Sequence, residues 1–360
     1  MKPSGALRVG SVALVLATVA AIRLLAVSGW DPTAFTAFGE DSVEITSYAE
    51  EKLGREVRTR VLQGHDGKFF FVLANDPLLL EPDENAAVLD RQRYRSQRIL
   101  YPLLAGGAGI LPPGVVVWAL IGINVVALGV GSWAVAGIAM KHGVSPWWGL
   151  GFALNVGLLS ELYIDGAGIL AFALVCVGAL ALEHDRLGPA AIAFAGAALT
   201  REVMLAFVGF VAVFWLIRKR AIPWLVVLPA AMAVSAWALY VRIRVPAVEG
   251  VDQVKEITLV PFSGLIEAVT SGRAVSVDLV LMFLFVCLMV LVPVRAWKSD
   301  VYLTWGAVGF AVLAPFLTVF VWQKSWDISR ALAPLVTAFL LEFALARRRQ
   351  LQGARVGLDA

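Results

Sequence analysis

The stretch "AAIAFAGAALTREVMLAFVGFVAVFWLIRKR", residues 190–220, decides the kind of protein that this chain forms. It is apolar up to its basic end except for Thr200, Arg201 and Glu202, and a helix needs about 20 such residues to cross a membrane. The whole chain of 360 residues shares this character, since 59% is hydrophobic and the mean hydropathy is +0.80. A β-barrel would show short alternating segments instead. The composition therefore predicts an all-α polytopic membrane protein.

Ten apolar segments are predicted as transmembrane helices. The first follows Lys2 and Arg8 in the manner of a signal peptide, but it is too long for one and no A-x-A site follows it, so we interpret it as retained. A single integral-membrane domain at 1–346 with a basic cytoplasmic tail at 347–360 is expected. The segments lie at about 9–29, 113–140, 145–162, 164–183, 188–200, 203–217, 222–244, 276–295, 302–322 and 329–346.

Basic residues recur in alternate connections between these segments. Ten crossings place all of these clusters on one side, and the positive-inside rule makes that side the cytoplasm, together with both termini. The clusters are Lys2/Arg8, Lys141/His142, Arg186, Arg218–Arg220, Arg295/Lys298 and Arg347–Arg349. A long first loop at 31–110 and shorter ones at 245–275 and 323–328 are then extracytoplasmic. The expected location is the inner or plasma membrane, and no basic domain is left outside it to bind nucleic acid.

The quoted stretch must leave and return to the cytoplasmic side within about 30 residues. Each limb then has only about 13–15 residues, or roughly 20 Å of helix. The pair is therefore predicted as a short hairpin that turns at Arg201 and Glu202 inside the protein. A charge at that depth costs about 3 kcal/mol or more unless it is paired. The alternative is one long helix in which Arg201 pairs with Glu202 or Asp165.

The first loop contains "GHDGKFFFVLANDP", residues 64–77. Two glycines bracket Asp66, so a turn could aim this carboxylate into an outer cavity as a general base. The alternative is that Asp66 caps the helix that follows. That helix is predicted to lie amphipathically in the membrane interface, with Phe69, Phe70, Val72 and Leu73 facing lipid. Asp41, nearer the first helix, competes with Asp66 as the base.

Further charged residues lie at the predicted outer ends of helices. Arg95 and Arg98 run against the positive-inside bias, which suggests phosphate binding or, alternatively, contact with lipid headgroups. Glu161 and Asp165 occupy one outer turn, where either could serve as a helix cap. The last helix begins with Lys324, Asp327 and Arg330, which could be site residues. The alternative is that Asp327 caps this helix and Arg330 anchors it at the membrane surface. Acids beside arginines suit transfer from a lipid-phosphate donor.

Four motifs in this order resemble a known group of enzymes. "GHDGKFFFVLANDP", "YRSQRILYPLLAGG", "LTREVMLAF" and "SRALAPL", spread from Gly64 to Leu335, are similar to the bacterial integral-membrane glycosyltransferases of the C superfamily. The likeness is to the branch that shares its Asp-Gly-x-aromatic-aromatic loop motif with the GPI-anchor mannosyltransferases. It implies inverting transfer from a polyprenyl-phosphate sugar to an extracytoplasmic glycan, lipid or protein acceptor. No resident cofactor is expected.

The resemblance implies roles for individual residues. Asp66 would be the catalytic acid, and Arg330 would match the arginine that opens the last helix. Arg201 and Glu202 match a Thr-Arg-Glu on the inner wall of the cavity. Arg95, Arg98 and Tyr101 align with the motif that re-enters the bundle. Lys68 stands where a neutral residue is expected, and Phe70-Phe71 replace tyrosines.

Two other functions are compatible with the sequence. A transporter or lipid flippase would use the same outer cavity, although transporters usually carry paired broken helices and only one short hairpin is predicted here. A membrane scaffold derived from an inactive enzyme is the other. The three histidines and two cysteines show no metal-ligand spacing, so no metal site is predicted. Loop acids could still hold a divalent ion transiently.

Overall fold

The computed structural model describes residues 4–247, 256–272 and 275–356. Helices account for 75% of the residues, which confirms the all-α prediction. The strands β1, Phe38–Gly39, and β2, Thr59–Arg60, form one short parallel pair in the first loop. Part of the predicted loop at 245–275, and the end of the predicted tail from 357 onward, lie outside the described residues.

The helices of the described chain fall into a loop group and a bundle group. Short helices α2 to α7 belong to the first loop, and most of the longer ones follow it. In chain order they are α1 Ser4–Val27, α2 Thr33–Thr36, α3 Val43–Leu53, α4 Gly67–Asn75, α5 Pro82–Val88, α6 Gln92–Arg95, α7 Leu100–Ala105, α8 Pro113–Lys141, α9 Leu150–Ala153, α10 Val156–Leu162, α11 Gly168–Glu183, α12 Leu187–Thr200, α13 Met204–Lys219, α14 Trp224–Arg244, α15 Ser263–Thr270, α16 Ser276–Ala296, α17 Tyr302–Leu313, α18 Val319–Trp322, α19 Ser325–Ala331 and α20 Ala333–Val356.

Several helices could span a membrane. Among the described residues α1, α8, α14 and α16 are each long and apolar enough, and α19 with α20 qualifies as a pair bent by 66°. The predicted segment at 145–162 is divided into a 3₁₀ turn, α9 and α10, and the one at 302–322 ends in a 3₁₀ turn followed by α18. α20 continues through the arginines that were predicted to begin the tail.

The basic clusters that the structure describes meet at one end of the bundle, which we call the basic end. Glu183 joins one of them to the start of α17, because its carboxylate contacts His142 Nε2 at 2.9 Å and accepts from the Tyr302 N–H at 3.1 Å. Lys219 Nζ donates to Tyr302 Oη at 2.9 Å. Gly5 also packs against Met140 at this end. Three arginine side chains donate to backbone carbonyls there: Arg348 to His142 O, Arg218 to Trp297 O and Arg349 to Lys298 O. The described clusters thus lie together, and the side of a membrane that they face stays a prediction.

The chain breaks at Arg201, whose backbone is extended (φ −150°, ψ 118°) between α12 and α13. The single-helix alternative is therefore wrong. α12 starts at the basic end and α13 returns to it, because Lys219 lies against Tyr302. The two limbs do not pack closely along each other, however. α12 packs on α11 and α14, whereas α13 packs mainly on α17.

The aromatic run of α4 does not face lipid, and this prediction is wrong. Phe69, Phe70, Val72 and Leu73 are all buried, because the first loop folds into a core of its own against α7 and α8. Within it, the rings of Phe70 and Tyr101 meet edge to face at 5.3 Å. Burial of this apolar surface fixes α4 on the bundle. Asp66, at the start of α4, is thereby held in place.

Candidate functional site

A cluster of arginines and carboxylates lies at the end of the bundle opposite the basic end. α11 connects the two ends, since Gly168 at its start binds Glu161 and Glu183 at its end lies among the basic groups. We call the set the arginine–carboxylate cluster. It comes from the first loop, α10, the break after α12, and α19. Its members are Asp66, Asp90, Arg95, Arg98, Glu161, Arg201, Glu202, Asp327 and Arg330.

Arg330 is the centre of this cluster. Its Nε lies 2.9 Å from Glu161 Oε1, its Nη1 3.1 Å from Asp327 Oδ1 and its Nη2 3.3 Å from Asp66 Oδ2. The planar guanidinium can serve three carboxylates at once because its donors point in different directions. Arg330 lies near the end of α19, just before the bend to α20, and only 10% of its side chain is exposed. Arg330 therefore joins the first loop to two bundle helices.

Asp66 sits immediately before α4 but does not cap it, because its side chain makes no capping hydrogen bond. Its carboxylate accepts from Arg95 Nη1 at 3.0 Å and from Arg330 at 3.3 Å instead. Burial would raise the pKa of Asp66, but Arg95 and Arg330 outweigh it and hold that pKa well below its usual range. Asp66 is thus ionised, and it is a weak base while both guanidiniums face it.

Glycine at position 67 allows the Asp66 turn to approach the bundle closely. A Cβ atom at Gly67 would stand 2.4 Å from Ile164 O and 2.8 Å from Thr36 O. Gly64, on the other side of Asp66, has a φ of +69° and would place a Cβ atom 2.1 Å from Ala37 O. Both positions therefore require glycine: Gly67 because there is no space for a Cβ atom, and Gly64 because of its positive φ as well. The bracketing glycines seen in the sequence serve to seat Asp66.

Arg95 is held by a second acid and by an aromatic ring. Its Nε and Nη2 donate to the two oxygens of Asp90 at 2.8 and 3.0 Å, which leaves Nη1 for Asp66. The guanidinium carbon lies 3.8 Å from the centre of the Phe69 ring, a cation–π contact. Phe69 is therefore part of the support of the site.

Arg98 and Glu202 form a two-pronged ion pair. Nε lies 3.2 Å from Oε2 and Nη2 lies 3.1 Å from Oε1, and Nη2 also donates to Tyr94 Oη. Arg98 is buried, so this paired geometry stabilises a charge that would otherwise be costly. The pair fastens α6 and its following turn to the break between α12 and α13.

Glu161 is buried and accepts three hydrogen bonds. Arg201 Nη1 donates at 3.1 Å and Arg330 Nε at 2.9 Å, both to Oε1, while the Gly168 N–H donates to Oε2 at 3.0 Å. A buried carboxylate requires such compensation. The charge that the sequence places on Arg201 is thus neutralised by Glu161 rather than by Glu202 or Asp165.

Four of the sequence-predicted residues lie apart from the cluster. Asp165 is buried with φ +47°, and in the described structure neither carboxylate oxygen has a hydrogen-bond partner. Tyr101 is buried in the loop core, where its hydroxyl donates to Leu120 O at 3.0 Å and accepts from Asn124 at 2.8 Å. The Tyr101 hydroxyl thus has a structural role in this core, and its substrate contact stays a prediction. Asp41 and Lys324 are both exposed.

Two cavities adjoin Arg330. The first, the arginine cleft, is about 120 Å³ in volume and combines Arg98, Arg201 and Arg330 with apolar walls from α10, α11, α17 and α18. Those walls include Leu158, Phe172, Phe310, Leu317 and Val321. The second, the α1 cavity, is about 360 Å³ and lies beside Leu24 and Ser28 of α1. It is lined further by Arg58, Arg60, His65, Tyr163, Trp326 and Arg330.

The sequence reasoning missed several residues of this region. Asp90 and Tyr94 hold Arg95 and Arg98, and their closeness in "DRQRYRSQR" was the available signal. Arg58 and Arg60 stand outside the predicted helices, against the positive-inside bias, as Arg95 and Arg98 do. The same argument that singled out the later arginines therefore applied to these two.

Comparisons with known proteins find no matching family profile, no matching curated protein and no matching solved structure. The family resemblance therefore rests on the four motifs quoted above. Across the described residues, His, Cys, Asp and Glu side chains form no group of three or more that could hold a metal ion.

Proposed function

We propose that this chain is a membrane glycosyltransferase that moves a sugar from a polyprenyl-phosphate donor to an extracytoplasmic acceptor with inversion. The observation that carries the proposal is the arginine cleft, where three guanidiniums meet an apolar wall and one of them, Arg330, also binds Asp66. Arginine is suited to phosphate oxygens, and the apolar wall is suited to the first isoprene units. A candidate base thus stands next to a candidate site for a lipid phosphate.

The proposal includes a topology of ten crossings with both termini in the cytoplasm of a bacterial cell membrane. Its support is the meeting of the basic clusters at one end and of the site at the other. A cysteine placed at exposed Leu62 and one placed at exposed Gln352 should then label from opposite sides of a sealed membrane. Labelling of both positions from the same side would contradict this topology.

The charges of the cluster suggest how the donor activates the base. Asp66, Glu161 and Glu202 neutralise the arginines of the cluster. A donor phosphate that binds Arg330 and Arg98 competes with those carboxylates for the guanidinium donors. Asp66 then loses part of its positive surroundings, so its pKa rises and it becomes a better proton acceptor. Donor binding and base activation are thereby coupled.

In the transfer step, Asp66 takes the proton of an acceptor hydroxyl. The hydroxyl oxygen forms a bond to the anomeric carbon on the face opposite the phosphate. The bond between that carbon and the phosphate oxygen breaks, and its electron pair leaves with the polyprenyl phosphate. Arg98, Arg201 and Arg330 stabilise the departing anion, so no general acid is required.

The test uses purified protein in nanodiscs with radiolabelled polyprenyl-phosphate sugars. Wild type should release the sugar from at least one donor, and Arg201→Gln should reduce turnover strongly because a phosphate contact is lost. Arg186→Gln, at the far end of α11, is the matched control and should retain activity. A folded wild-type protein that turns over no donor would contradict the proposed function.

A further inference from the structure

The α1 cavity differs from the arginine cleft in its charge. The cleft arginines Arg98 and Arg201 are each paired with a carboxylate. Arg58 and Arg60, which line the α1 cavity, form no ion pair with any of the residues that the structure describes. Arg330, shared by both cavities, adds a third guanidinium on the inner side, but Asp66, Glu161 and Asp327 already neutralise it. The α1 cavity therefore carries an excess of positive charge.

Backbone carbonyl groups hold these two arginines in place. Arg60 Nη2 donates to Ala34 O at 2.7 Å and to Tyr163 O at 2.6 Å, and Arg58 Nη1 donates to Ser28 O at 3.0 Å. Carbonyls orient a guanidinium without cancelling its charge, and both side chains keep further N–H groups for a ligand. Asp165 affects the pKa of Arg60 electrostatically, which it raises, but the two side chains form no ion pair. Burial lowers the pKa of Arg60, as expected for a cation short of a counter-charge.

The surroundings of the cavity are those of a lipid. Leu24, Ala34 and Ile164 provide apolar walls. Leu16 and Val27, which lie on the same side of α1 as Leu24 by helical spacing, are both exposed, so an acyl or prenyl chain could lie along this helix. Trp326 and His65 pack edge to face at 5.4 Å on the opposite wall. The cavity thus offers cations at its inner end and an apolar track beside it.

We propose that the α1 cavity binds the phosphate head group of a second lipid, through Arg58 and Arg60. Taken with the proposed function, on which this step rests, the acceptor of the sugar is itself a phosphate-bearing lipid rather than a protein or a free glycan. The two lipids would place their head groups on either side of Arg330. The acceptor hydroxyl would then enter beside Asp66.

The test is calorimetric titration of the full-length, detergent-purified chain with dioctanoyl phosphatidate. Wild type binds this probe. Arg60→Gln and Arg58→Gln each weaken binding by at least about tenfold, because each variant loses one charge-assisted contact with the phosphate. Arg60→Lys keeps the charge and recovers part of the affinity. Arg55→Gln is the matched control, since Arg55 is an exposed arginine of the same loop that pairs with Asp31 outside the cavity. Thermal unfolding confirms that each variant is folded.

Three results would overturn the site. They are unchanged phosphatidate binding by both glutamine variants, equal binding of uncharged dioctanoylglycerol, and equal binding of inorganic phosphate, which would indicate a soluble ligand. The proposed function fails separately. Phosphatidate binding through Arg60 by a protein that transfers no sugar would refute the transferase and keep the lipid site. If Arg60→Gln transfers sugar and also binds phosphatidate as tightly as wild type, the lipid site is refuted and the proposed transferase function stands.

Discussion

Asp66 and Glu161, which belong to the first loop and to α10, bind the same guanidinium. Arg330 contacts Glu161 Oε1 through Nε at 2.9 Å and Asp66 Oδ2 through Nη2 at 3.3 Å. The loop that carries the candidate base is thus tied to the bundle through a group that also lines both cavities. Any ligand that draws Arg330 away changes the surroundings of both acids.

Replacement of Arg330 should impair both activity and stability. Arg330→Gln leaves the buried Glu161 with fewer charged donors and should reduce the free energy of unfolding by on the order of 2 kcal/mol. Arg330→Lys should fail as well, because one ammonium cannot match three carboxylates in this geometry. Turnover of the donor and thermal unfolding in detergent measure the two effects. Arg349→Gln, at the basic end, serves as control, and full activity of Arg330→Lys would contradict the bridging role.

The Arg98–Glu202 pair should show strong energetic coupling. Arg98→Gln and Glu202→Gln each leave the other charge without its two-pronged partner, whereas the double variant removes both. A double-mutant cycle on the free energy of unfolding should give a coupling of about 1–3 kcal/mol. The more exposed pair Lys52–Glu84 is the control and should give less than about 1 kcal/mol. Equal couplings for the two pairs would mean that burial of Arg98 does not strengthen its contact.

His65 should make the protein less stable in mild acid. Burial, assisted by Arg330, lowers the pKa of His65 to about 4, below the ordinary value near 6.5. Between these values the unfolded chain binds more protons than the folded one, so stability falls as the pH drops from about 6.5 to about 4. His65→Gln should flatten this part of the pH profile, while His184→Gln, at an exposed position, should not. Superimposable profiles for wild type and His65→Gln would disprove the assignment.

Tyr101 should matter for stability and not for turnover. Tyr101→Phe removes the hydrogen bonds to Leu120 O and from Asn124, which should cost about 1 kcal/mol of unfolding free energy. The rate of sugar transfer should remain at the wild-type level because the hydroxyl is buried away from both cavities. Thermal unfolding and donor turnover are compared in the same preparation. Lost turnover with unchanged stability would restore the substrate contact that the motif suggests.

Features set by local composition were predictable from the sequence. Hydropathy indicated an all-α chain with several apolar helices, basic residues marked the groups that meet at one end, and the charges of Arg201 and Glu202 marked the break between α12 and α13. Asp66 stood out because two glycines bracket it. These signals are contained within a few neighbouring residues, so no knowledge of the fold was required.

Features set by packing were not predictable. The first loop builds its own core, so Phe69 and Phe70 are buried although their pattern suits a membrane interface. Tyr101 belongs to the same motif as Arg98, yet its side chain lies in that core. The partner of Arg201 depends on where α10 meets α12, which no local pattern reveals. The choice between Asp66 and Asp41 likewise depends on which of them meets Arg330.

The most direct test of the central claim compares Asp66→Asn with Asp41→Asn in sugar transfer from a polyprenyl-phosphate donor. Asp66→Asn should lower turnover by about 1,000-fold or more, since it removes the proposed base and weakens the contact with Arg330 through which donor binding would activate that base. Asp41→Asn should remain active, because Asp41 is exposed and lies outside the cluster. A folded Asp66→Asn variant with wild-type turnover, or loss of turnover in Asp41→Asn alone, would contradict the account.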